Sequence, residues 1–199
     1  MAASSTPNPD RRSERARQAI LDAALELCGE QSYAGLTMEG IAKRAGVGKQ
    51  TIYRWWPSKA AILLEALEER GRSTLDFPDT GNLEADLRTQ MTQVAQAFLS
   101  PTFAAYSKGL IAAAQSDPAI AQAVVTSIIQ PRVTLCIERL QKAQQAGEIR
   151  PDLDLADVVE LLYAPLYYRL LLHTRPVSPT QVDTILSLVL AGVSSDKQP

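Results

Sequence analysis

Between Val47 and Lys59 the chain reads VGKQTIYRWWPSK, a concentration of donor groups and large aromatics in one short span. Helical spacing sorts these side chains into two sets. Ile52 and Trp56 stand four apart and share one face, which is assigned to the core with Val47 beside it. Lys49 and Tyr53, and likewise Gln50 and Arg54, fall on the other side and face outward. A short exposed helix with those groups suits a DNA major groove. Lysine and arginine reach guanine acceptors or phosphates, and glutamine pairs with an adenine edge. Thr51 and Tyr53 offer hydroxyls to phosphate oxygens. Gly48 lets the backbone come close, and Lys59 starts a helix whose free amides also favour phosphate. Trp55 has two readings, an indole N–H on a phosphate or plain packing.

Charge along the chain points the same way. From Leu36 to Lys59 there are five cations, Lys43, Arg44, Lys49, Arg54 and Lys59, against Glu39 alone, whereas Ser73 to the end carries 9 basic and 13 acidic residues. The net −2 thus conceals a small basic region joined to an acidic body. Glu39 either accepts from a cytosine amine or answers its helix dipole, the dipole being favoured. Lys43 and Arg44 read equally well as a solvated face. Arg11, Arg12, Arg15 and Arg17 either graze phosphates or lie in a minor groove, or else belong to a flexible, solubilising arm.

Other chemistries find little support. The 199 residues hold one histidine, His173, and two distant cysteines, Cys28 and Cys136. No metal cluster, disulfide framework, nucleophile elbow or glycine-rich phosphate loop can be assembled from them, so no enzyme activity, metal or cofactor is expected. His173 reads as a helix-end residue and Cys136 as a buried small apolar one. The N-terminus lacks the apolar segment of a secretory signal. Leu161–Leu172 is too short to span a bilayer and contains Arg169. A soluble, cytoplasmic protein with no membrane partner is expected.

The elements that must position these groups read as helix throughout. Apolar residues at Ala16, Ile20, Ala23, Ala24 and Leu27 mark a first helix over Arg11–Glu30, ended by Gly29 and the polar run EQSYAG after it. Thr37 caps a second helix stopped by Gly46, a third runs to Trp56, and Ser58 caps a fourth after Pro57. The pairs Ser100-Pro101, Asp117-Pro118 and Ser178-Pro179 each open a helix, as does Asp154. Pro131 should interrupt the long helix begun at Pro118. The fold class is all-α, about nine helices, with a helix-turn-helix over Thr37–Trp56 resting on the first helix. The chain divides into three regions: an arm at 1–10, a DNA-binding domain at 11–57 and a helical ligand-binding and dimerisation domain at 58–199.

The run LTMEGIAKRAGVGKQTIYRWWPSKAAIL, preceded by a basic first helix, resembles the TetR family of bacterial transcriptional regulators. The likeness covers about Arg12 to Leu67. It implies a homodimer on a two-fold-symmetric DNA operator, released by a small molecule. Carried onto this sequence, the family pattern places base contacts at Gly48, Lys49 and Gln50. It places phosphate contacts at Thr37, Thr51, Tyr53 and Lys59, with Arg54 and Trp55 at variable positions that often reach DNA. Trp56 falls at a core position.

The larger region adds two expectations. The helix at Asp154–His173 is apolar nearly all round and that at Ser178–Val193 carries a broad apolar stripe, so the two are expected to form a four-helix contact with a second subunit, the alternative being burial of both within the monomer. Met91, Phe98, Phe103, Tyr106, Leu110, Cys136, Tyr163 and Tyr167 are candidates for an apolar effector pocket with a few polar tips, suited to a hydrophobic or aromatic ligand. The linker after the fourth helix and the loop at Asp117-Pro118 are candidate coupling points.

Overall fold

The computed structural model describes the backbone of residues 9–72 and 77–195 and the side chains of 13–70 and 77–195. The expectations for the 1–10 arm up to Asn8, for the side chains of Arg11 and Arg12, and for residues 73–76 of the linker lie outside the described residues. Helices are α1 (Pro9–Gly35), α2 (Met38–Ala45), α3 (Lys49–Trp55), α4 (Lys59–Arg72), α5 (Leu83–Leu99) and α6 (Pro101–Ala114), followed by α7 (Pro118–Val124), α8 (Gln130–Gln145), α9 (Leu155–Leu172) and α10 (Pro179–Val193). A π-helical turn, Val125–Ile129, joins α7 to α8 in one rod, so the described residues form nine rods. No strand is present among them, only one isolated bridge between Ile149 and Ser194. The chain is all-α.

Short polar side chains set most helix starts. Thr37 Oγ1 accepts from the Gly40 amide at 3.0 Å, Asp117 Oδ1 from Ala119 at 2.9 Å and Asp154 Oδ1 from Ala156 at 2.8 Å. Ser58, Ser100 and Ser178 make the same closure three residues ahead, at 3.2, 3.4 and 3.3 Å. Each such cap stabilises its helix by about 1 kcal/mol.

Two helix boundaries carry further information. Gly29 does not end α1. The helix continues to Ser32, whose φ of 64° and ψ of 170° break it before a last turn to Gly35. A Cβ on Gly29 would lie 3.2 Å from Thr102 Cγ2, so this glycine serves the close approach of α6. The expected interruption at Pro131 takes the form of the π turn directly before it. Proline has no N–H to give and its ring crowds the preceding carbonyl, and a widened turn relieves both.

Two cores form. The first gathers α1 to α4 around Ile20, Leu21, Ile41, Ile52, Ile62 and Leu63, and takes in Tyr106 and Leu110 of α6 and Val124 of α7. The second joins α5, α8, α9 and α10 around Leu87, Met91, Leu140, Leu162, Leu166 and Leu186. Phe103 of α6 packs against both. Burying each such Leu or Ile contributes about 1.5–3 kcal/mol, and α6 is the element that both groups require. Within the second core Arg139 Nε reaches Asp86 Oδ2 at 2.8 Å, and Asp86 also accepts from the Thr80 hydroxyl at 2.7 Å. That network pins α5, α8 and the segment before α5 together. By length and composition the run Pro118–Gln145 is apolar enough to cross a bilayer, which inspection of Leu161–Leu172 alone does not reveal. Here it turns Val124 to the first core and Cys136, Leu140 and Ala143 to the second.

Candidate nucleic-acid interface

The turn between α2 and α3 is built from local chemistry. Gly46 sits in the left-handed region at φ 66°, where side chains other than glycine are disfavoured, and the Val47 amide closes onto the Ala42 carbonyl at 3.0 Å. α3 then lies with Ile52 fully buried and Trp56, its C-cap, nearly so, in the same core as Ile20, Ala24 and Leu27 of α1. The Trp56 indole N–H donates to Glu65 Oε2 at 2.6 Å, which satisfies its one buried donor. The other oxygen of Glu65 accepts from Arg17 Nε at 2.6 Å, and Arg17 also bridges to Glu69 and Glu14. Burial alone would lower the Arg17 guanidinium, but the three glutamates raise it, so it stays cationic. Arg17, read in the sequence as either a DNA contact or part of a solubilising arm, ties α1 to α4.

The opposite face of α3 is open. Lys49, Gln50, Tyr53 and Arg54 are exposed, with Tyr53 at 49 %, and Gly48 is exposed at the helix start. Thr51 is half-buried. The Lys49 ammonium pairs with Glu39 of α2 and lies 5.7 Å from the centre of the Tyr53 ring. The hydrogen bond from Lys49 holds the Glu39 carboxyl below its usual range and raises the Lys49 ammonium in turn. Glu39 thus braces the outward lysine across the turn, a pairing that neither helix's own periodicity signals. Arg54 stacks over Trp55 at 5.2 Å; Trp55 is half-buried, meets Trp56 edge-on at 5.4 Å and packs on the first core. Thr37 is exposed; its oxygen is occupied as a cap acceptor, which leaves the hydroxyl proton free to donate. Arg44 is tied to Glu26 and Glu30 of α1, while Lys43 is exposed.

Lys59 departs from expectation. Its ammonium donates to the carbonyls of Tyr33 and Leu36, each at 2.8 Å, and sits 4.3 Å from the centre of the Tyr33 ring. These carbonyls belong to the broken end of α1 and the turn after it, where helix termini leave acceptors unmatched. Two of its three donors are thus engaged inside the protein, which leaves one for the phosphate contact expected of it.

The proposed effector residues are also placed differently. Tyr167, Phe98, Phe103 and Tyr106 form a continuous aromatic row, with ring centres 5.0, 6.0 and 5.1 Å apart in succession. The Tyr163 hydroxyl donates to Gln90 Oε1, and Tyr163 also bonds Cys136. Burial pushes the Cys136 thiol up to about 12 and the Tyr163 phenol well above its usual value. Met91, Phe98 and Cys136 belong to the second core, Tyr106 and Leu110 to the first. Phe103, Tyr163 and Tyr167 are partly buried and pack against these cores, so the eight are spread over both. Two surface clefts of about 470 Å³ lie elsewhere, and of the eight only Phe98 reaches one.

On the outside of α9 and α10, Leu161, Tyr168, Leu172 and Leu188 are 60, 55, 60 and 70 % exposed. Leu161, Ala164 and Tyr168 follow helical spacing along one exposed stripe, with Leu188 and Ala191 exposed on α10. Such apolar rows are the kind of surface that protein contacts cover.

Comparison with known proteins accords with this arrangement. A family model described as bacterial regulatory proteins of the tetR family matches residues 20–66, and one described as the tetracyclin repressor-like C-terminal domain matches 77–189. The chain is 35 % identical over 184 residues to the uncharacterised HTH-type transcriptional regulator YdeS of Bacillus subtilis, covering 92 % of each. It is 32 % identical to the DNA-binding transcriptional repressor TetR of Mycobacteroides abscessus, over 81 % of this chain and 85 % of that one. The crystal structure of the TetR family transcription regulator SCO0332 superposes with a TM-score of 0.73 at 36 % identity, covering 89 % of this chain and 98 % of its own.

Proposed function

The chain belongs to the TetR family of bacterial transcriptional regulators, and we propose that it is a repressor that binds a palindromic operator as a homodimer and leaves it when a small molecule binds. The observation that carries the reading is the split of α3: Ile52 and the following Trp56 are buried, and Lys49, Gln50, Tyr53 and Arg54 all point out. In this reading Gln50, Lys49 and the Gly48 backbone read bases, and Thr37, Thr51, Tyr53 and Arg54 hold phosphates. Trp55 supports the face from beneath by stacking on Arg54. Lys59 contributes by fixing the end of α1, with at most one donor left for DNA.

The exposed apolar stripe of α9 and α10 is the surface proposed to join two subunits in a four-helix contact. A dimer places two α3 helices in successive major grooves about 34 Å apart or a multiple of it. A ligand that favours a different spacing shifts the population off DNA. The route suggested for that shift is α6, whose Phe103 packs on both cores. The protein acts where the DNA is, in the cytoplasm, and as a binding protein without catalysis.

Selection of bound sites from random duplex DNA by the purified chain tests this reading. The expected product is an inverted repeat, bound as a dimer, with affinity falling steeply as salt rises. Recovery of a single unrepeated site, or no enrichment at low salt, would refute it.

A further inference from the structure

A cleft of about 470 Å³ opens where the end of α5 and the start of α6 meet the C-terminal end of α9 and the connection to α10. Phe98, Leu170 and Val177, each nearly buried, supply apolar lining. Lys108, Arg169, Arg175 and His173 supply nitrogen donors, and no aspartate or glutamate belongs to the lining.

That charge arrangement runs against the body that carries it. From Ser73 onward acidic residues outnumber basic ones, 13 to 9. Elsewhere in this body most cations find carboxylates: Arg88 has Glu84 and Asp183, Arg139 has Asp86, Lys142 has Asp79 and Arg150 has Asp152, while Arg132 donates to the Ile128 carbonyl. Lys108, Arg169 and Arg175 make no ion pair among the described residues. Arg169 donates from Nη1 to the Pro176 carbonyl at 3.0 Å, which holds the connection in place and leaves further guanidinium donors. Three cations gathered at one apolar hollow repel one another unless an anion lies between them. The hollow is within the size range of small-molecule sites.

We propose that this cleft binds an organic anion with an apolar body: a carboxylate or phosphate monoester head held by Lys108, Arg169 and Arg175, with its hydrocarbon lying on Phe98, Leu170 and Val177. The site is distinct from the packed aromatic row and favours a charged amphipath over a neutral one. It does not rest on the operator reading, because it is tested without DNA.

The experiment is titration calorimetry on the full-length chain with octanoate, octyl phosphate, octanol, octylammonium and inorganic phosphate. At least one of the two amphipathic anions should bind about tenfold more tightly than octanol, the difference expected of a charge-assisted contact. Octylammonium should not bind, and inorganic phosphate should bind more weakly than octyl phosphate. Preference between octanoate and octyl phosphate identifies the head group, and either preference supports the site. In a Lys108→Ala/Arg175→Ala protein, whose altered side chains make no hydrogen bond or ion pair among the described residues, anion affinity should fall about tenfold while octanol is unchanged. Circular dichroism checks that this variant is folded, and the single variant Lys108→Glu should lower anion binding in the same direction. Equal affinity for anion and alcohol, unaltered anion binding in the double variant, or no binding of either anion at millimolar concentration would overturn the proposal.

Discussion

Replacing Lys59 with methionine keeps an apolar stem and removes the ammonium, so it isolates what the charge does. The structure gives that charge two hydrogen bonds of 2.8 Å to the carbonyls of Tyr33 and Leu36 and a place 4.3 Å from the Tyr33 ring centre. Hydrogen bonds to a charged group contribute about 1.5–3 kcal/mol each when buried. This site is half-buried, which discounts them, and the ring contact adds about 0.5–1 kcal/mol. The expected loss is about 2–4 kcal/mol, or roughly 5–12 °C in Tm for a chain of this size. Thermal and urea denaturation would be followed by circular dichroism at one fixed protein concentration, since the proposed dimerisation would make the midpoint concentration-dependent. Operator binding would be measured over a salt series at a temperature where both proteins are folded. The slope of log affinity against log salt should stay the same. A lost phosphate contact would reduce it by about 0.9. A variant of unaltered stability with a slope reduced by that amount would refute the clamp and restore Lys59 to the phosphate backbone.

Gly109→Ala should destabilise the fold by about 1–3 kcal/mol in urea denaturation, despite alanine's higher helix propensity, because the new Cβ would stand 2.3 Å from the Tyr33 Cβ. Gln50→Ala should weaken discrimination at a single operator base pair by about 1–3 kcal/mol, seen by binding to singly substituted operators, with the salt slope unchanged. Asp86 gives an acid-sensitivity prediction. Burial would raise its carboxyl, but hydrogen bonds from Thr80 and Arg139 outweigh burial and hold it below the usual range. A lowered folded-state value stabilises the fold above the ordinary carboxyl pKa of about 4, and the gain is lost as pH falls through the folded value. Wild-type stability should therefore fall more steeply than that of Asp86→Asn below about pH 4, measured as unfolding free energy across that range.

Much of the architecture is legible in short stretches of sequence. Thr37, Ser58, Ser100, Asp117, Asp154 and Ser178 each begin a helix by bonding an amide two or three residues ahead, so the information needed is adjacent in the chain. The division of α3 into a buried Ile52 side and an exposed Lys49, Gln50, Tyr53 and Arg54 side follows from helical period alone. Gly29 misleads for a physical reason: a glycine reads as a terminator until α6 is seen against it.

By itself, the sequence determined an all-helical chain, the helix-turn-helix and the outward chemistry of α3, because caps, glycine turns and periodicity act over a few residues. Only the tertiary structure decided that Lys59 clamps α1, that Arg17 and Trp56 share Glu65, that Asp86 meets Arg139, and that the aromatic row of α5, α6 and α9 is packed. Those contacts join residues as far apart in the chain as Phe98 and Tyr167, or Asp86 and Arg139. Their partners are selected by how whole helices pack, and no local pattern of residue types encodes that choice.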